Sequence, residues 1–335
     1  MRDADDDFRA LDPVAGRAEL LTRSERGALL ERILRTPREH RAAEPRRSAP
    51  RTWVLAVTVA AAATAVAVVV PQMPGPTAQP AHAVTPEPLA LHRPDRPAAR
   101  VLEALARKVE KLPDDSPAGG TERFVQDSWS LSTRVDGIQV TSAIIPERRV
   151  TWKEPDGSEK WRVRSLAPRF RTAEQRRIWE EGGSLGSEAQ EQSDSTGPAD
   201  PADPRHREPP SGVAGMERWL RAGYETHGSG ELFDSVAERH IDNSFSPRQR
   251  AALLRVVGAA RGVEYRGVVT DRAGRSGEAF SVATAYGGLP KVQTLVFDPR
   301  TGTLLSYDEQ LTSDAGALNV RVPAVVLYID YLEGG

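Results

Sequence analysis

Between Trp53 and Val70 the chain reads WVLAVTVAAAATAVAVVV, a run with no charge in which only Thr58 and Thr64 are polar. A helix on the surface of a globular protein needs a polar face, and this segment has none. At about 1.5 Å per residue it spans roughly 27 Å, close to the thickness of a hydrocarbon core. Arg46, Arg47 and Arg51 precede it, while Pro71 to Val84 carries no lysine or arginine. Positive residues stay on the cytoplasmic side, so the run is expected to cross a membrane once, with the N-terminus inside and the C-terminal body outside. A fully buried helix is one alternative. A cleaved signal peptide is another, since Ala81-His82-Ala83 has a small-x-small form. The 52 residues ahead of the run are far too many for an ordinary leader.

Residues 1–52 read as a cytoplasmic tail with short amphipathic helices. The tail is acidic over 1–12 and arginine-rich over 35–52. Asp12-Pro13, and Thr22 with Glu25, are helix-start signals, and Leu29, Leu30, Ile33 and Leu34 fall at helical spacing. These four are the candidate docking residues for a cytoplasmic partner. The simpler reading is a solvated tail whose arginines fix topology and touch anionic lipid. Residues 71–97 hold eight prolines and read as a stiff spacer, with a reach of about 80 Å at ~3.1 Å per residue.

Residues 98–335 carry the folded outer domain. A helix is expected from Pro97 to about Leu112. Strands follow at Phe124–Val135 and Ile138–Ile145 around Asp136-Gly137, then at Arg149–Lys153 and Lys160–Leu166 around Asp156-Gly157. Residues 183–212 have no aromatic and five prolines, which predicts a disordered insert. Three helices come next, the last opened by Ser246, Pro247 and Gln249 as a capping box and ended by Gly262. A meander is then expected: Val263–Thr270, Ala279–Tyr286, Lys291–Phe297 and Thr303–Glu309. Ala324–Leu332, apolar on both faces, suits a strand inserted into the same sheet. The order helix, strands, helices, strands predicts an α+β fold, a curved antiparallel sheet with packed helices against one face.

Leu11-Asp12-Pro13 in the tail, Ser246-Pro247 through Gly262-Val263, Val269-Thr270-Asp271 and Val296 through Leu305 resemble a family of single-pass membrane proteins common in actinobacteria. These have an arginine-rich inner tail, one helix, a Pro-rich spacer and an outer α+β domain, with no established activity. The resemblance covers most of the chain outside the insert. Its motifs are turns and caps, which speak for fold and not for chemistry. The outer domain is in turn distantly similar to the half-barrel fold of lipoprotein carriers and envelope-stress regulators. That similarity implies an acyl chain or a protein as ligand.

Chemistry is sparse. Cysteine is absent, which excludes disulfides, Cys-ligated metals and thiol catalysis. The net charge of −2 gives no pull toward nucleic acid. No histidine pair has metal-ligand spacing, and no nucleophile or phosphate-loop motif occurs. No cofactor, metal or catalytic residue is therefore assigned. The aromatics Trp129, Trp152, Trp161, Tyr265 and Tyr286 lie on expected strands and are the candidate lining of a pocket. The expected function is a non-enzymatic, membrane-tethered outer domain binding a lipid, a lipoprotein or an envelope protein. The alternatives are an anti-sigma-like transmembrane regulator acting through the tail and, least favoured, an envelope hydrolase.

Overall fold

The computed structural model describes residues 82–116, 119–131, 134–136, 139–141, 143–184, 189–198, 207–224 and 228–334. All of these but Gly223 and Tyr224 belong to one compact unit. The apolar run 53–70, the tail residues Leu29, Leu30, Ile33 and Leu34, and Arg46, Arg47 and Arg51 lie outside the described residues. Among those described, no helix is long and apolar enough to cross a membrane.

The fold is α+β, with five helices and eleven strands among the described residues. In chain order these are α1 (Ala98–Val109), β1 (Glu122–Ser130), β2 (Arg134–Asp136), β3 (Gln139–Thr141), β4 (Glu147–Lys153), β5 (Glu159–Ser165), α2 (Ala173–Glu181), β6 (Glu191–Thr196), α3 (Val213–Arg221), α4 (Ser229–Arg239), α5 (Pro247–Ala259), β7 (Val263–Thr270), β8 (Ser276–Thr284), β9 (Lys291–Phe297), β10 (Leu304–Leu311) and β11 (Ala324–Glu333). Nine strands form an open sheet in the order β6-β5-β4-β1-β11-β10-β9-β8-β7, antiparallel throughout. The last strand is therefore inserted between β1 and β10, and it joins an early half-sheet to the late meander.

One face is closed by helices. Val101, Leu102, Leu105, Ala106 and Val109 of α1 recur at helical spacing and are buried. They meet Met216 and Leu220 of α3, Leu232 and Phe233 of α4, and Leu253, Leu254 and Val257 of α5. Beneath them lie Tyr265, Phe280, Leu295, Phe297 and Leu304 of the sheet. Helix α5 starts as expected, with Ser246 accepting from the Gln249 amide and Gln249 returning a bond to the Ser246 amide at 2.7 Å. The Asp298–Gly302 turn is pinned under α1. Gly302 has φ +71°, and a Cβ there would lie 2.7 Å from Val109 Cγ2.

The other face is covered by irregular chain. Residues 82–97 run over it as a strap. The Ala83 amide donates to Asn319 O at 2.7 Å, and the His92 amide to Arg266 O at 3.0 Å. The strap thus passes from the β10–β11 connection to the edge strand β7. Ala83 packs with Trp129, Leu131, Ile144 and Tyr328, and Leu89 and Leu91 pack on Val269, Ala279, Val296 and Leu305. The C-terminal half of the expected spacer is thus part of the fold. Its apolar residues are spaced to suit an extended chain crossing strands, a pattern with no period.

Three further expectations change. The two long strands around Asp136-Gly137 are not one hairpin of the main sheet. β1 ends at Ser130, and only the short ribbon β2–β3 pairs around that turn, from Arg134↔Thr141 to Asp136↔Gln139. Leu131 follows the strand, its amide still donating to Val326 O at 2.8 Å, and buries its side chain in the strap-side cluster. Helix α2 was not foreseen. Thr172 caps it by accepting from the Gln175 amide at 3.2 Å, and Gln175 reaches back to the Arg171 amide. Strand β6 lies inside the segment 183–212 expected to hold no element. It is an edge strand with every residue exposed, held by its backbone pairing to β5, which composition does not report.

Candidate functional site

The site lies on the strap side of the sheet, where β11 joins the two half-sheets. Side chains alternate along a strand, so Tyr328 and Asp330 share a face. Cross-strand register extends each into a rank. Tyr328 stands opposite Trp129 of β1 and Asp308 of β10, and Asp330 stands opposite Asp127 of β1 and Ser306 of β10. The first rank continues through Thr294 and Ser281, whose hydroxyls meet at 2.8 Å. The second continues to Arg148 of β4.

Most of these buried charges are paired. Arg148 grips both oxygens of Asp127, at 2.7 and 2.8 Å. Arg272, from the β7–β8 turn, donates to Asp308 Oδ2 at 2.5 Å and to the strap at Glu87 O at 2.8 Å. Its guanidinium lies 4.8 Å from the Tyr328 ring centroid, a cation–π contact. Arg275 holds Asp271 at 2.7 Å and donates to Leu305 O at 2.6 Å. Trp129 stacks on Tyr328 with ring centroids 6.4 Å apart. At this site three buried atoms, Asp330 Oδ1, Ser306 Oγ and Arg272 Nε, have no hydrogen-bond partner among the described residues. Burial, and next the charge of Asp271, push the Asp330 carboxyl up to about 7. Burial raises Asp308 even against its Arg272 partner, and pushes the Tyr328 hydroxyl up to about 12.

Beside the first rank opens a cavity of about 280 Å³ lined by Pro86, Glu87, Ile144, Arg169, Arg272 and Tyr328. Pro86 and Glu87 belong to the strap, so a segment expected to be a spacer forms one wall. A second depression, of about 470 Å³, lies across β4, β5 and β6 and is lined by Trp152, Lys160, Trp161, Arg162, Ser193, Asp194 and Ser195. Neither is an enclosed apolar chamber.

The five candidate aromatics do not converge. Trp129 is buried in the strap-side cluster. Trp152 and Trp161 both border the second depression, but Trp161 pairs with Thr151, so the two side chains point to opposite faces. Trp161 instead stacks under Arg149, 4.7 Å from its ring. Tyr265 is a core residue bonded to Glu278 and packed on Phe280 at 5.4 Å. Tyr286 follows β8, with Lys291 Nζ 5.9 Å from its ring. Sequence reasoning missed Arg169, Arg272, Tyr328 and Asp330. One signal was present: an aspartate inside the otherwise apolar run Ala324–Leu332.

Among the described residues no group of histidines and carboxylates is placed to hold a metal ion. His240 is a core residue. It stacks on Phe245 at 4.4 Å, its Nδ1 meets Val236 O at 2.7 Å, and burial depresses it to about 4. No family model matches the chain, and no curated protein or solved structure matches it either.

Proposed function

We propose that the chain is a non-enzymatic, single-span envelope protein whose outer domain binds another envelope component, with a protein favoured over an acyl chain. The Trp53–Val70 run and its arginine flank support the anchoring. The half-barrel likeness is in keeping with a sheet that carries its helices on one face. The preference against an acyl chain has one carrying observation. The helix face, where a half-barrel would hold a lipid, is filled by Phe233, Leu254, Phe280, Leu295 and Phe297, each no more than 1% exposed. What stays open is the wing β4–β6, with Lys160, Arg162 and Arg164 exposed along one face of β5 and the polar edge β6 beside them. An edge strand offers backbone groups to a partner's extended segment, and a basic face selects an acidic one.

The strap alters the tether. With residues 82–97 packed on the sheet, only 71–81 remain between the apolar run and the domain, a reach of at most about 34 Å at ~3.1 Å per residue. The domain then works close to the bilayer.

Photo-crosslinking residues placed at Ser193 and Ser195, on the exposed edge beside the basic stripe, in the full chain in growing cells test the partner reading. A discrete protein adduct, lost when the basic stripe is neutralised, is the expected result. Adducts to lipid alone would return the acyl reading. Tags at the two ends that report the same compartment would overturn the topology.

A further inference from the structure

We propose that the cavity beneath the strap is an oxyanion site, taking a carboxylate or phosphate group through Tyr328 Oη and the Arg169 guanidinium, in the field of the Arg272 cation. The assignment stands on the cavity itself and does not need the membrane reading. Tyr328 is 2% exposed and lines the cavity, yet its hydroxyl has no hydrogen-bond partner among the described residues. The hydroxyl is not one of the sealed unpaired atoms, so it opens on the cavity and can donate to a ligand there. The hydroxyl holds its proton far above neutral pH and therefore has a hydrogen to donate.

Arg169 lines the same cavity. It forms no ion pair among the described residues. Arg272 has committed both terminal nitrogens, to Asp308 and to Glu87 O, and its Nε is sealed, so it contributes charge and no reachable donor. Two donors, Tyr328 Oη and the Arg169 guanidinium, thus line one small space beside a second cation. Of the carboxylates nearby, Asp308 is paired with Arg272, Asp127 with Arg148, and Glu87 with Arg171 at 3.7 Å, with its side chain largely in solvent; Asp330 keeps an unpaired Oδ1. Guanidinium groups bind planar and tetrahedral oxyanions through directed, charge-assisted hydrogen bonds. About 280 Å³ suits a small group or the acidic end of a larger molecule, and falls below the range typical of drug-sized ligands.

The test is calorimetric titration of the full chain in detergent with acetate and, separately, inorganic phosphate, at constant ionic strength in chloride. Saturable binding of at least one probe is expected. Acetate alone would identify a carboxylate ligand, and phosphate alone a phosphate ester. Tyr328→Phe keeps the ring stacked on Trp129 and removes only the hydroxyl; Arg169→Gln removes an exposed charge. Each should weaken binding about ten-fold, the loss of one hydrogen bond to a charged group, while Arg107→Gln on the exposed side of α1 leaves it unchanged. Without ligand, Tyr328→Phe should melt close to the parent, because the hydroxyl it deletes has no protein partner among the described residues. No saturable binding of either probe up to about 10 mM, where even feeble sites fill, would overturn the proposal. Equal affinity in Arg169→Gln and the parent would do so too.

Discussion

The two faces of this sheet use the same strands and are finished by opposite means. On the helix face, α1, α3, α4 and α5 bring amphipathic surfaces onto an apolar layer, and buried polar groups such as Arg239, Arg250 and Gln293 are set into it with hydrogen-bond partners. On the strap face, a stretch of irregular chain covers ranks of carboxylates, guanidinium groups and hydroxyls, with two smaller apolar clusters between them. Side-chain packing among helices is cooperative and hard to open locally, whereas a strap held by a few backbone bonds and half-buried leucines is a low-stability unit. The helix face supplies most of the apolar packing, and the strap face holds the cavity.

Substitutions should separate the faces. Phe280→Ala, at a fully buried position under the helices, is expected to cost about 3–5 kcal/mol in a denaturant titration. Leu91→Ala in the half-buried strap should cost about 1 kcal/mol. Equal losses would erase the distinction. Asp308→Ala leaves Arg272 buried without its carboxylate and is expected to cost about 3 kcal/mol, and to raise the rate of proteolysis within 82–97, since Arg272 also holds Glu87 O.

Acidification should act oppositely on the two faces. Asp330 faces Asp271, Arg275, Arg272 and Asp127, and its pKa in the fold is about 7 against about 3.9 for an unperturbed Asp. The folded state then binds the proton more tightly than the unfolded chain does. Its contribution is greatest at low pH and is lost as pH rises toward 7. Between pH 7.5 and 5.5 the parent should gain roughly 2 kcal/mol relative to Asp330→Asn, read from paired melts. Glu159, also raised to about 7, first by burial and next by Asp242, shifts both proteins equally. His240, depressed to about 4 inside the helix-face core, carries the reverse sign: the unfolded chain protonates first, and stability falls as pH drops below about 6.5. At the small end, Ser246→Ala should cost about 1 kcal/mol through loss of the α5 cap.

Legibility followed the range of the interactions. The α5 cap, the Asp156-Gly157 hairpin and the β7–β10 meander rest on contacts within a few residues, so Ser246, Gly157 and Gly302 announce them. β11 was readable as an inserted strand because apolar residues on both of its faces require neighbours on both sides. The strap was not readable, because Ala83, Leu89 and Leu91 find partners far along the chain and in no regular period. Helix α2 carried the Thr172–Gln175 signal, but its nine residues bury little beyond Trp179, and so no apolar stripe drew attention to it. The candidate site failed for a related reason. Aromatics were sought as a pocket lining, yet Tyr265 turned inward and Trp129 became the backing of Tyr328. The groups at the cavity, Arg169 and Arg272, sit in connections whose convergence depends on register between strands more than fifty residues away.

The strap also decides how the molecule meets tension. A pull on the chain upstream of residue 82 enters at Ala83 and is borne by the bonds to Asn319 O, then Arg272, then Arg266 O, strung along the path and loaded one after another. Peeling of this kind yields at low force, and the first stretch to lift takes Pro86 and Glu87 with it. Such a pull would therefore open the small cavity by removing part of its wall while the packed helices stayed in place.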